Sequence, residues 1–242
     1  MASLFLWPSC QLEPAPVDAG PLPDNVATVL ETVVFSTLQD AFAELEGRPY
    51  ERTVTTRQLD PDQDRVVGRL RERWSYTAQE APPTVQEIDR EGAFDFGGLS
   101  PFASEDDASP SPRPLATDLV PDEPGYLNPR TREFYTFERA ADSTVAGVPV
   151  RVVVIRARPE AANAQVAYVR LAVTPDGVLA SYTLRRIADG VLYDEDRTLQ
   201  AELQRTPAGV WTPQRLSVEV TMQLPLQPRR QFQTESVFSV PQ

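Results

Sequence analysis

Two residue types are missing from this sequence: it contains no histidine and no lysine, and all 23 of its basic residues are arginine. Without histidine there is no imidazole base, no histidine metal ligand and no Ser-His-Asp triad. The sequence also lacks a glycine-rich phosphate loop, a Walker lysine, a cysteine pair and a Gly-x-Ser-x-Gly elbow. These absences exclude several enzyme classes, and we predict a non-catalytic protein with no cofactor and no metal.

Positive charge is also scarce, since the formal net charge is -12. Nucleic-acid binding depends on basic patches that contact phosphates, so we exclude nucleic acid as a partner. No stretch of the sequence approaches the roughly 20 consecutive apolar residues that a membrane-spanning helix needs. The single cysteine, Cys10, cannot form an internal disulfide.

The position of Cys10 is informative. A short apolar leader, residues 1–9, ends in Ser9 directly before Cys10, and a proline-rich stretch, residues 11–23, follows. This arrangement resembles the end of a bacterial lipoprotein signal, in which Cys10 would carry the lipid and residues 11–23 would form a tether. No basic residue precedes the apolar run, so we interpret residues 1–23 as a truncated leader and tether. The alternative is a disordered N-terminus with an incidental cysteine.

Residues 24–46 carry apolar side chains at three- and four-residue spacings, which predicts one amphipathic helix. The apolar positions are Val26, Val29, Leu30, Val33, Val34, Leu38, Phe42 and Leu45. Gly47 and Pro49 follow directly and end the helix. We expect its apolar stripe to pack on the inner face of a β-sheet.

Most of the remaining sequence predicts β-strands, because apolar and polar residues alternate between short turn signals. The predicted strands cover residues 49–59, 65–78, 132–139, 148–157, 165–173, 178–188, 191–204, 215–223 and 231–240, with a further short strand at 84–90. Turn signals such as Thr174-Pro175-Asp176-Gly177 separate neighbouring strands. The pattern indicates a wide antiparallel sheet with one apolar face.

The strand at 65–78 has one apolar and one cationic face. Val66, Leu70, Trp74 and Tyr76 occupy even positions, and a row of arginines at 65, 69, 71 and 73 occupies odd positions. Such a row could hold an anionic partner. The simpler interpretation is a solvated sheet face whose arginines pair with carboxylates on neighbouring strands.

Residues 91–129 interrupt the strand pattern with a long insertion that is acidic and proline-rich in its second half, which we expect to be flexible. Three aromatic residues, Phe94, Phe96 and Phe102, lie in its first half. They could form a lid over the open sheet, or they could complete the core at one edge.

The order of a helix, two strands, a long insertion and a meander resembles the LolA/LolB-like superfamily of periplasmic lipoprotein carriers. The resemblance extends over residues 24–240 and includes the Gly209-Val210-Trp211-Thr212-Pro213 step before the last strands. It implies a single domain at 24–242, mainly β (α+β): an unclosed barrel of about 9–11 strands packed round an N-terminal helix. It transfers no individual functional residue.

Members of that superfamily hold acyl chains in an apolar cavity, so the resemblance implies a lipid- or lipoprotein-binding protein of the periplasm or outer membrane. Inward-facing apolar residues would line the cavity: Trp74, Tyr182, Leu184, Leu199, Leu203, Val218, Val220 and Phe238. The expected partners are a lipid or an acylated protein, other envelope proteins, and the membrane through lipidated Cys10. The alternative is a structural protein with a filled core that docks protein partners.

Overall fold

The computed structural model describes residues 21–63, 65–77, 83–92, 124–161, 164, 166–189, 194–223, 225–226 and 228–240. Within these ranges ten strands form one antiparallel sheet, in the order β3-β2-β1-β10-β9-β8-β7-β6-β5-β4. The strands are β1 Tyr50–Asp60, β2 Arg65–Tyr76, β3 Thr84–Gly92, β4 Tyr135–Val145, β5 Val148–Ala157, β6 Val166–Val173, β7 Leu179–Asp189, β8 Asp194–Arg205, β9 Trp211–Gln223 and β10 Arg230–Ser239. The sheet is not closed: β3 and β4 form its edges in the described part of the chain. The predicted fold class, an open antiparallel sheet packed round N-terminal helical structure, is confirmed.

Most strands lie within a few residues of their predicted positions. The largest difference concerns the strand predicted at 132–139, because β4 ends six residues later, at Val145, and starts at Tyr135, after a one-turn 3-10 helix at Arg132–Phe134. A second such turn, Gly125–Leu127, precedes it, and its Tyr126 is buried. The last residues of the predicted insertion therefore contribute a side chain to the core.

The prediction of one continuous helix at 24–46 is wrong, because the structure contains two helices in this range, α1 (Asp24–Leu30) and α2 (Ser36–Glu46). Between them the Val34 N–H donates to the carbonyl of Gly177 over 3.0 Å. Val34 thereby forms a parallel bridge with Val178. The β-branched residues 32–34 favour extended backbone, and the sheet offers them a hydrogen-bond partner in place of the helix.

The Thr174–Gly177 turn that holds this linker folds as the sequence predicts. Gly177 has a positive φ of 87°, which glycine adopts without strain. The hydroxyl of Thr37, at the start of α2, accepts a hydrogen bond of 3.1 Å from the Leu179 N–H. Linker and helix start are thus both attached to the same hairpin.

The main core lies between the helices and one face of the sheet, called the inner face below. Helix α2 packs against β9 and β7, and α1 packs against β4 and β5. Phe42 meets Phe238 edge to face, with ring centroids 5.6 Å apart. Close by, Tyr50 stacks on Tyr76 at 4.3 Å. The helices cover the inner face at the end of the sheet where β1 and β7 begin.

Strand β5 departs from simple alternation because it is buried on both faces. Val153 and Ile155 join the main core, whereas Val152 and Val154 belong to a smaller cluster with Ala172 and others. A strand buried on both sides carries a continuous apolar run, which here is residues 152–155. Among the described residues, no helix is long and apolar enough to cross a membrane.

Candidate functional site

Burial of the inner face decreases along the strands, away from the helices. Residues that pair directly across antiparallel strands share a face, so the register divides the inner face into rows. The first row is fully buried: Val54, Ser236, Leu216, Ala201 and Tyr182. The second row is Leu70, Thr56, Thr234, Val218, Leu199 and Leu184, and the third is Gln58, Phe232, Val220, Arg197 and Arg186.

Rows two and three contain apolar side chains that the core does not fully cover. Leu70, Val218, Val220 and Phe232 are half-buried and lie on β2, β9 and β10. Leu184 and Leu199, which face each other on β7 and β8, continue the apolar surface but are buried. These six residues are called the trough below.

All eight residues that the sequence assigned to a cavity lie on the inner face, but they differ in burial. Five of them belong to the main core: Tyr182, Leu184, Leu199, Leu203 and Phe238. Trp74 and Val218 are half-buried and pack against that core, and Val220 is half-buried farther along β9. The prediction did not include Leu70 and Phe232, although both sit at apolar positions of alternating strands.

Beside the trough, two arginines form its rim. Arg186 on β7 and Arg197 on β8 are direct cross-strand partners, and both are exposed. Within the described ranges neither of them forms an ion pair. These two residues are called the rim pair.

Three buried tyrosines form a group next to Arg186 of the rim pair: Tyr126, Tyr135 and Tyr182. The hydroxyl groups of Tyr126 and Tyr182 are 3.4 Å apart, and the rings of Tyr126 and Tyr135 meet edge to face. Burial raises the pKa of Tyr182 and of Tyr135, while the charge of Arg186 opposes that rise at both residues. The pKa of Tyr126 is raised strongly, mainly by burial. These tyrosines are therefore neutral, and Arg186 is close enough to act on two of them.

The opposite face of the sheet, called the outer face, carries a surface pocket of about 360 Å³. It is lined by Thr53, Thr55, Arg57, Arg69, Arg71, Glu235 and Val237 and is called the outer pocket. Arg69 pairs with Asp89 at 2.6 Å and with Glu91 at 2.9 Å, and these contacts raise its pKa. At this residue the arginine row pairs with carboxylates of the neighbouring strand, as the simpler interpretation predicted.

Four predicted site residues lie outside the described residues: Cys10, the predicted lipid attachment site, and Phe94, Phe96 and Phe102 of the predicted lid. Their roles stay predictions. Among the described residues, no group of three or more carboxylate, cysteine or histidine side chains could hold a metal ion.

Comparison with known proteins matches no family model and no curated protein. Solved structures do match, among them a LolA superfamily protein from Nitrosomonas europaea, at 9% identity and a TM-score of 0.27 over 90% of this chain and 94% of that one. A domain assigned to outer membrane lipoprotein sorting, from Vibrio parahaemolyticus, matches at 12% identity and 0.29 over 88% and 92%. A DUF1329 family protein from Desulfovibrio piger matches at 10% and 0.28 over 90% and 92%. The first two names agree with the resemblance seen in the sequence.

Proposed function

We propose that this protein is a non-catalytic carrier of the cell envelope that holds an acyl chain of a lipid or lipoprotein in the trough. The observation that supports the proposal is the graded burial of the inner face. The main core includes Leu184 and Leu199, the half-buried Val218 packs against it, and the half-buried Leu70, Val220 and Phe232 lie farther along the strands. Half-buried apolar side chains that are continuous with a core give an acyl chain a surface on which to pack.

The dimensions and energetics suit an acyl chain. From Arg197 on β8 to Leu70 on β2 the path crosses four strand spacings of about 4.8 Å, or roughly 19 Å in all. An extended long-chain acyl group has a length of this order. Each methylene removed from water contributes about 0.8 kcal/mol. Packing of the acyl chain on the apolar trough residues therefore supplies the driving force, and where the path crosses β1 the chain would pass the polar Thr56 and Gln58.

A charge placed in the trough tests this proposal. The Val218→Asp variant puts a carboxylate in the middle of row two, so we expect its affinity for a fluorescent fatty acid to fall at least about ten-fold, because the charge would have to be desolvated. Fluorescence titration measures the affinity, and thermal unfolding confirms that the variant is folded.

Thr183→Asp is the matched control, since Thr183 is also β-branched and half-buried but its neighbour Leu184 faces inward, so Thr183 faces outward. It should bind the probe like the unchanged protein. If Val218→Asp is folded and binds equally well, the trough is not the binding site. Mass spectrometry of an organic extract of the purified protein should in addition reveal co-purified lipid.

The outer pocket favours a second candidate function, an interaction protein that docks an acidic segment of an envelope partner. Arg57 and Arg71 line the pocket, and Arg71 forms no ion pair among the described residues. A fluorescent oligoglutamate peptide should bind, more weakly at high salt. Arg57→Gln with Arg71→Gln should abolish binding, whereas Arg65→Gln with Arg73→Gln, outside the lining, should not. Absence of saturable binding to the unchanged protein rules this candidate out.

A further inference from the structure

The rim pair is an unusual arrangement on an antiparallel sheet. Arg186 and Arg197 lie directly opposite each other, where two like charges repel and destabilise the pairing. The chain has 35 acidic residues and a net charge of -12, so carboxylate partners are plentiful in its composition. The neighbouring pair shows the usual solution: Arg185 of β7 pairs with Asp196 of β8 at 2.6 Å on the outer face.

In the part of the chain that the structure describes, no carboxylate forms an ion pair with Arg186 or Arg197. Glu195 is the nearest acidic residue on the same face of β8, two positions before Arg197, but the two side chains form no ion pair. Val220 is the direct partner of Arg197 on β9, and Val166 is that of Arg186 on β6. The exposed side chains of Arg186 and Arg197 are thus cross-strand neighbours, and each lies beside a valine on the next strand.

Along β7 and β8 the inner-face side chains change from apolar to cationic between row two and row three. Leu184 and Leu199 form a buried pair in row two, and Arg186 and Arg197 follow them directly in row three. From Arg197, row three continues across the sheet to the apolar Val220 on β9 and Phe232 on β10. An apolar surface with cations at one end matches an amphiphile that has an anionic head.

We propose that Arg186 and Arg197 together bind the anionic head group, a carboxylate or a phosphate, of the amphiphile whose acyl chain occupies the trough. This inference rests on the proposed function. Arginine suits the task because its planar guanidinium donates paired hydrogen bonds to carboxylate and phosphate oxygens. The bound anion would also relieve the repulsion between the two arginines. The protein would therefore select anionic amphiphiles and bind neutral ones with the same chain more weakly.

Probes with one chain and different heads test the inference. A fluorescent fatty acid, its methyl ester, and a lysophosphatidic acid with the same labelled chain are titrated into the unchanged protein. We expect the acid to bind about ten-fold more tightly than the ester, as charge-assisted hydrogen bonds require. The lysophosphatidic acid distinguishes the two head groups, since the tighter of the two anionic probes identifies the preferred one.

Two double variants complete the experiment. Arg186→Gln with Arg197→Gln should remove the preference for the acid and leave the affinity for the ester unchanged. Arg65→Gln with Arg73→Gln removes the same charge from exposed positions of β2 and should keep the preference. The inference is overturned if the acid and the ester bind equally, or if the rim variant keeps the preference, and binding of both probes then still supports the trough. Failure of every probe to bind would instead refute the proposed function.

Discussion

Replacing Gly177 by alanine should lower the free energy of unfolding by at least about 2 kcal/mol. Gly177 has a φ of 87°, where an L-residue costs about 1–2 kcal/mol. In addition, a Cβ atom would lie 2.3 Å from the carbonyl oxygen of Thr32, which is a backbone atom and cannot rotate away. The linker between α1 and α2 would have to shift, and the hydrogen bond from Val34 to Gly177 would be lost. Urea unfolding monitored by tryptophan fluorescence measures the change.

Gly147 provides the matched control for this substitution. It also has a positive φ, 78°, but a Cβ atom there would meet nothing within 4 Å. Gly147→Ala should therefore lower the free energy of unfolding only by the cost of a positive φ at alanine, about 1 kcal/mol. The difference between the two variants reports the packing of the helix linker on the β6–β7 turn. Equal losses of stability would mean that the linker does not pack there.

The strands were predictable from the sequence because their signal is local. Alternation places residues 166–173 and 179–185 on a half-buried sheet, and the turn between them is encoded by Thr174, Pro175 and Gly177. Hairpin connections then make consecutive strands neighbours, which gives the run from β4 to β10. The pairing of β1 with β10 joins distant parts of the chain, and only the resemblance to a known fold family suggested a barrel-like sheet.

The break between α1 and α2 was not predictable from the apolar periodicity, although the β-branched residues 32–34 are weak helix formers. Val33 and Val34 continue the apolar spacing of a helix, and no proline or glycine interrupts it. The competing interaction comes from Gly177, which is far away in sequence and becomes a neighbour only after the sheet has formed. A tertiary hydrogen bond thus overrode the helical periodicity.

The candidate site was predictable only in part, for a related reason. Alternation predicts which side chains face inward, and the strand register puts Val218 and Val220 on the same face of the sheet as Leu199. Alternation does not predict how deeply each inward-facing side chain is buried, because its burial depends on where α2 lies along the strands. It also does not fix register, so the direct opposition of Arg186 and Arg197 could be seen only in the structure.

The contact between Phe42 and Phe238 yields the second large effect. Phe42 is 2% exposed and Phe238 4%, so either substitution to alanine should lower the free energy of unfolding by about 3–5 kcal/mol. Their rings meet edge to face at 5.6 Å, which adds an interaction of about 1 kcal/mol. The double variant should therefore lose less stability than the two single losses together, and urea unfolding of all four proteins measures this coupling. This coupling exists only if α2 covers Phe238. If the two single losses of stability instead add exactly, Phe42 does not pack on Phe238, and Phe238 would be available to contact a ligand, as the sequence had suggested.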